Sequence, residues 1–303
     1  MTPHVRTYHE VTGDDRSGLL AQVVAQRQRV TERLVNVRHA VAVMSGKGGV
    51  GKSFVTAALA RELARRGRRV GVLDADLHGP TAARMLGVGR QPMEVRESGA
   101  VPATGTNGIR VMSTDLILAE DAPLKWKEPA QDGFIWRGTL EAGMLREFLG
   151  DVSWGELDFL LVDLPPGTER LAMLMELVPS LAGVVVVTIP SDASRRAVRR
   201  SLEMVRESGR PILGIVENMA GYACPDCGAV RPLFAGDAGK DIAEAAKAPV
   251  LAGIPFDAAA QQAADGGHLM ASGAAAQAIA AAVDALLERL GEGGAAARPG
   301  GGA

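Results

Sequence analysis

Gly46-Lys47-Gly48-Gly49-Val50-Gly51-Lys52-Ser53 follows directly on the apolar run Ala40-Val41-Ala42-Val43-Met44. Gly, four residues, then Gly-Lys-Ser binds phosphate when a buried strand precedes it and a helix follows. The glycines let successive backbone N–H groups turn inward around a triphosphate, and the helix start adds its positive end. Lys52 then meets the β- and γ-phosphates, and Ser53 holds Mg²⁺. A tight strand–helix connection would also use glycines, but it has no need of the Gly-Lys-Ser ending. Gly46, Lys47, Gly48, Gly49, Val50, Gly51, Lys52 and Ser53 are therefore candidate nucleotide contacts.

Two carboxylate motifs end apolar runs, at the strand edge where open α/β sheets place ligands. In Asp74-Ala75-Asp76-Leu77-His78-Gly79-Pro80-Thr81, Asp76 is expected to position the attacking water, with Asp74 in support; helix capping is the plainer use of both acids. In Leu161-Val162-Asp163-Leu164-Pro165-Pro166-Gly167-Thr168, Asp163 fits the carboxylate that holds Mg²⁺ through water, and the two prolines and glycine make a stiff turn suited to a switch. Asn218 closes the run Ile212–Glu217, where it can hydrogen-bond a purine edge or serve as a turn residue.

Cys224-Pro225-Asp226-Cys227-Gly228 holds the only two cysteines of the chain. A turn between two thiols suits one edge of a zinc site or half the ligands of an iron–sulfur cluster. The remaining ligands must come from outside the chain, most simply from a second copy across a two-fold axis. A redox-active dithiol and a structural Cys₄ zinc bridge remain open on spacing alone.

The elements that must position these groups read as one large α/β domain. The chain has 303 residues, 47% of them apolar, and a net charge of −2, which points to neither nucleic acid nor an anionic membrane surface. The longest apolar runs are strand-length, and no secretory signal is visible, so a cytoplasmic location is expected. Candidate strands are Ala40–Met44, Arg69–Leu73, Ile109–Ser113, Phe159–Asp163, Gly183–Ile189, Ile212–Glu217 and Val250–Ile254, alternating with amphipathic helices such as Val55–Arg66. That alternation predicts a doubly wound, mostly parallel sheet with helices on both faces. Residues 1–38 read as a polar, partly helical leader, 39–288 as the nucleotide-binding domain, and 289–303 as a disordered Gly/Ala-rich tail. The stretch from Leu118 to Phe134 reads as a long functional or mobile loop.

Taken together, from about His39 to Leu287, the phosphate loop, Asp74-Ala75-Asp76-Leu77-His78-Gly79-Pro80, Trp136-Arg137-Gly138, Asp163-Leu164-Pro165-Pro166-Gly167-Thr168, Glu217-Asn218-Met219 and Cys224-Pro225-Asp226-Cys227-Gly228 resemble the Mrp (ApbC-like) iron–sulfur cluster carriers. Those are P-loop NTPases of the deviant Walker A group. The resemblance implies slow ATP hydrolysis and a [4Fe–4S] cluster held across a homodimer by Cys224 and Cys227 of each chain, then passed to apo-proteins. It implies that Lys47 reaches across the dimer to the partner's nucleotide and that Asn218 contacts adenine; a solvated surface lysine is the plainer alternative for Lys47. ATP, Mg²⁺ and the cluster are the implied cofactors, with neither nucleic acid nor membrane as partner.

The chain departs from that pattern at several places. Phe54 stands where a small hydroxyl residue usually follows the loop, leaving only its backbone N–H for the α-phosphate. Glu169-Arg170 replace Gly-Asp, Thr139 replaces proline after Trp136-Arg137-Gly138, and neither the small N-terminal domain of many bacterial members nor an N-terminal cysteine cluster is present. The competing function is a ParA/MinD-like positioning ATPase with a structural zinc site at its dimer interface. It would want a basic cluster or a membrane helix; Arg195-Arg196 with Arg199-Arg200 is also a solvated helix face, and Ala274–Leu290 lacks a lysine-lined polar side. A nitrogenase-type reductase would want cluster cysteines on separate loops near the switches.

Overall fold

β-Branched residues buried on both sides of successive strands dictate a central sheet covered by helices on each face. The computed structural model describes residues 19–77, 79–89, 94–97, 99–116, 143–234, 238–268 and 272–292. His78, the stretch from Leu118 to Phe134, and Trp136-Arg137-Gly138 with Thr139 lie outside the described residues.

The strands are β1 (Val37–Ser45), β2 (Val70–Asp74), β3 (Val95–Arg96), β4 (Gly99–Ala100), β5 (Ala103–Thr104), β6 (Arg110–Met112), β7 (Leu157–Asp163), β8 (Leu181–Thr188), β9 (Ile212–Ala223), β10 (Val230–Arg231) and β11 (Val250–Phe256). Nine of them form one sheet in the order β10-β9-β8-β1-β7-β2-β6-β5, with β11 also on β9; β3 and β4 make a separate hairpin. Pairing is parallel except for β5 on β6 and β10 on β9. The expected mostly parallel, doubly wound architecture is the one observed.

Side chains of β1 show how the two layers arise. Ala40, Ala42 and Met44 point into one core with the helices Glu169–Leu177, Asp192–Glu207 and Ala238–Ala246. Val41 and Val43 point into the other, with the helices Lys52–Arg65 and Ala274–Arg289. β1 lies between β7 and β8, where the strand order reverses, so the loop after it opens into the crevice that α/β sheets use for ligands.

All seven predicted strands are present, with different ends. β1 begins at Val37, inside the segment read as leader, because Val37 pairs with Leu157. The helix Leu19–Leu34 precedes it and buries Val30 and Leu34 in the first core. β9 continues to Ala223, so Asn218 sits within a strand and does not close one; the extension is held by β11, which pairs Ile254 with Asn218 and Phe256 with Tyr222. At the other end, the last helix runs to Arg289, and Glu292, expected in the disordered tail, is buried against Arg38, His39 and Arg68. Among the described residues no helix is long and apolar enough to cross a membrane.

Candidate functional site

The phosphate loop leaves the carboxyl end of β1 and enters the helix Lys52–Arg65 through Gly51. Gly49 and Gly51 have φ of +76° and +77°, the left-handed region that side-chain-bearing residues avoid. Gly51 is constrained a second way: a Cβ there would lie 2.2 Å from Asn218 Nδ2. That amide nitrogen donates to the Val50 carbonyl at 2.9 Å, so β9 braces the loop directly. Ser45 Oγ donates to the Lys47 carbonyl at 2.9 Å and fixes the start of the turn, leaving Lys47 half-buried.

Lys52, Ser53 and Asp163 converge. Asp163 Oδ2 takes Lys52 Nζ at 2.7 Å and the Ser53 hydroxyl at 2.6 Å, with the carboxylate fully buried. β7 is hydrogen-bonded to β1 with Asp163 opposite Val43, which sets this acid beside the loop as the sequence predicts. Ser53 and Asp163 offer two hard oxygen donors within one contact of each other. Among the described residues no cluster of three or more His, Cys, Asp or Glu could hold a metal by itself. Such a pair fits Mg²⁺, which takes one or two protein oxygens and completes its shell with water and substrate phosphates.

Asp74 faces Asp163 across the β2–β7 register and is equally buried. Burial first, and the Asp163 charge second, push its carboxyl up to about 7. Its oxygens accept from the backbone N–H of Asp76 at 3.2 Å and of Thr81 and Ala82 at 3.0 Å, and from Ser113 Oγ at 3.4 Å. Asp74 therefore shapes the turn that carries Asp76, which is itself half-buried at the strand edge.

Phe54 turns away from the loop. Its ring packs in the second core and lines a cleft with Arg61, Met85, His268 and Ile279, so the aromatic residue serves helix packing and leaves its backbone at the loop.

Cys224 and Cys227 sit at the tip of the β9–β10 hairpin, both as free thiols, the first half-buried and the second exposed. Cys224 N–H donates to the Ala229 carbonyl at 3.0 Å and Gly228 N–H to the Cys224 carbonyl at 2.9 Å, closing a tight knuckle with Gly228 at φ +70°. The backbone N–H of Cys227, then that of Asp226, pulls the Cys224 thiol below its ordinary range. The thiolate is the form that ligates metal, and this shift favours it. Tyr222, Val230, Leu233, Phe234 and Phe256 expose apolar surface around the hairpin, with the rings of Tyr222 and Phe256 stacked at 6.4 Å.

Sequence reasoning overlooked Thr56 and Ser113. Thr56 is wholly buried and its hydroxyl lies 2.6 Å from Asp163 Oδ1. Its signal was its spacing, one helical turn beyond Ser53. Ser113 reaches Asp74 only because β6 pairs with β2, a contact with no local trace in the sequence.

Comparison with known proteins places this geometry among relatives. Residues 36–291 match the ParA family model described as the NUBPL iron-transfer P-loop NTPase. The chain is 41% identical over 249 residues to an iron-sulfur cluster carrier protein of Saccharolobus solfataricus, covering 82% of this chain and 81% of that protein. It is 38% identical over 240 residues to the human cytosolic Fe-S cluster assembly factor NUBP2, covering 78% and 85%. Among solved structures, a nucleotide-binding protein from Archaeoglobus fulgidus, in complex with ADP and with cobalt found, shares 37% identity at a TM-score of 0.67, over 80% of this chain and 91% of that one. The septum site-determining protein MinD of Pyrococcus horikoshii shares the fold at 20% identity and a TM-score of 0.56, over 81% and 94%.

Proposed function

This chain belongs to the NUBPL family of iron-transfer P-loop NTPases, and from that premise we propose that it is an ATP-dependent iron–sulfur cluster carrier. The observation that carries the reading is a single strand: β9 braces the phosphate loop through Asn218 and ends in the Cys224–Cys227 knuckle.

ATP is bound by the backbone of Gly46 to Ser53, with the Phe54 N–H continuing the cradle. Lys52 exchanges its contact with Asp163 for the β- and γ-phosphates; the Ser53 hydroxyl and, through water, Asp163 would hold Mg²⁺, which would offset phosphate charge. Asp76 orients the attacking water, and Lys47 of a second copy meets the charge that develops between the β- and γ-phosphates. Asn218 uses its amide nitrogen on the loop, which leaves its oxygen to accept from an adenine amino group. Hydrolysis is slow, and its role is to reset the turns at Asp76 and at Pro165-Pro166-Gly167.

The cargo is a [4Fe–4S] cluster held by Cys224 and Cys227 of two copies, which then pass it to apo-proteins. Two thiols on one hairpin tip with no third ligand among the described residues support a shared site, and the apolar surface beside them supports a second copy there. The naming of the human relative as a cytosolic factor supports a cytoplasmic setting.

The test is transfer. Anaerobically loaded protein is mixed with an apo-ferredoxin, and cluster appearance on the acceptor is followed with and without Mg-ATP. The reading expects transfer whose rate changes with nucleotide, and loss of that nucleotide effect in Lys52→Ala. Transfer indifferent to nucleotide in the wild type would contradict it.

A further inference from the structure

Thr56 stands one turn beyond Ser53 on the Lys52–Arg65 helix and has no solvent exposure. Its hydroxyl oxygen is 2.6 Å from Asp163 Oδ1 and 3.0 Å from the Lys52 carbonyl. A hydroxyl has one proton to donate, so the two acceptors compete. The carboxylate takes it, because charge-assisted O–H···O⁻ bonds fall at about 2.5–2.7 Å and are roughly twice as strong as neutral ones.

The three donors divide the carboxylate between them. Lys52 Nζ and Ser53 Oγ lie on Oδ2, and Thr56 alone among these side chains lies on Oδ1. The strand fixes the Asp163 backbone, but the terminal torsion of an aspartate is soft, so the donors set the plane of the carboxylate. On the nucleotide reading above, both Oδ2 partners would leave, Lys52 for phosphate and Ser53 for the metal. Thr56 cannot follow them, since it is sealed inside the helix–sheet interface and faces the opposite oxygen.

We propose that Thr56 is a positioning residue that holds Asp163 with Oδ2 turned toward the Mg²⁺ of the bound nucleotide. This rests on the nucleotide reading above and adds to it a residue that touches neither nucleotide nor metal. Partners that orient metal-binding side chains from behind are worth about 10–100-fold in metal affinity. Removal of the hydroxyl should therefore weaken Mg²⁺ and leave the phosphate cradle as it was.

The experiment titrates Mg²⁺ into the full chain carrying a fluorescent ADP analogue, starting in EDTA, for wild type, Thr56→Val, Thr56→Ala and Thr56→Ser. The Mg²⁺ midpoint is expected to rise about tenfold or more in the valine and alanine variants and to stay within about twofold in the serine variant. Nucleotide affinity in EDTA should be the same in all four. Should the valine variant fail to fold, the alanine variant, which leaves room for a water, gives the comparison. Midpoints within about twofold of wild type in the alanine or valine variant would overturn the proposal, as would a serine variant that shifts as far as alanine. A purely packing role would lower thermal stability and leave the midpoint alone. No nucleotide binding by the wild type would remove the nucleotide reading first and this proposal with it, whereas wild-type binding with no Mg²⁺ dependence would leave nucleotide binding standing and overturn this proposal alone.

Discussion

Asn218 lies in strand β9, which ends at Ala223, and Cys224 follows in the hairpin tip six positions on, so one run of chain carries the amide that holds the phosphate loop and the first thiol. The run between them is bulged: Met219 has φ of +55°, and the register with β11 shifts between Ile254 and Phe256. β11 pairs with β9 on both sides of that bulge, Ile254 with Asn218 and Phe256 with Tyr222.

Gly51→Ala should be severe. A positive φ costs a side-chain-bearing residue about 1–2 kcal/mol, and the new Cβ would fall 2.2 Å from Asn218 Nδ2. Displacing Asn218 also breaks its bond to Val50. The expected result is a lower melting temperature and loss of ATP binding by calorimetry. Binding within about twofold of wild type would show that the loop is not held by this contact.

The pH dependence of the ligand-free protein should carry the mark of Asp74. Burial, then Asp163, raises its folded-state pKa to about 7 from an ordinary value of 3.8. Between those values the folded state holds a proton that the unfolded chain has released, so stability falls as pH rises and levels off above about 7. Asp74→Asn cannot titrate. In EDTA, the stability of Asp74→Asn relative to wild type should grow from about pH 4 to pH 7 and then stay constant, as read by urea unfolding. Parallel pH curves for the two proteins would contradict this.

Glu292 should behave in the opposite sense. Burial alone would raise its carboxyl, but the His39 hydrogen bond and the charges of Arg38 and Arg68 outweigh that, and its pKa lies below the ordinary 4.5. Its contribution is therefore present above the unfolded pKa and lost as pH falls through the folded one. Glu292→Gln should cost about 1–3 kcal/mol at pH 7, with the difference from wild type shrinking under acid. A loss that is the same at pH 3 and pH 7 would sink the ion-pair account.

The strands and the phosphate loop were legible because their signals are local: β-branched runs bounded by polar residues, and glycines followed by Lys52 and Ser53. Asp163 was legible for the same reason, as an acid ending an apolar strand. What stayed hidden depends on partners distant in sequence. Asn218 reads as a strand end, since Met219-Ala220-Gly221 carries little strand propensity; the strand crosses that stretch as a bulge, with Met219 at φ +55°, and resumes where Tyr222 pairs with Phe256 of β11. Glu292 follows a helix and precedes a run of Gly and Ala, so nothing nearby announces its three cationic partners. Phe54 looked like a defect in the loop because the packing surface it fills, around Met85, His268 and Ile279, is assembled from three separate segments.

The central claim is that Cys224 and Cys227 hold a cluster shared between two copies. Anaerobic reconstitution with iron and sulfide, with metal counted per protein, molecular mass and visible spectrum, addresses it directly in wild type and Cys227→Ala. About four irons per dimer with a broad charge-transfer band, lost in the variant while nucleotide still binds, is the predicted result. One zinc per dimer with no iron uptake, or full iron retention in Cys227→Ala, would contradict the account.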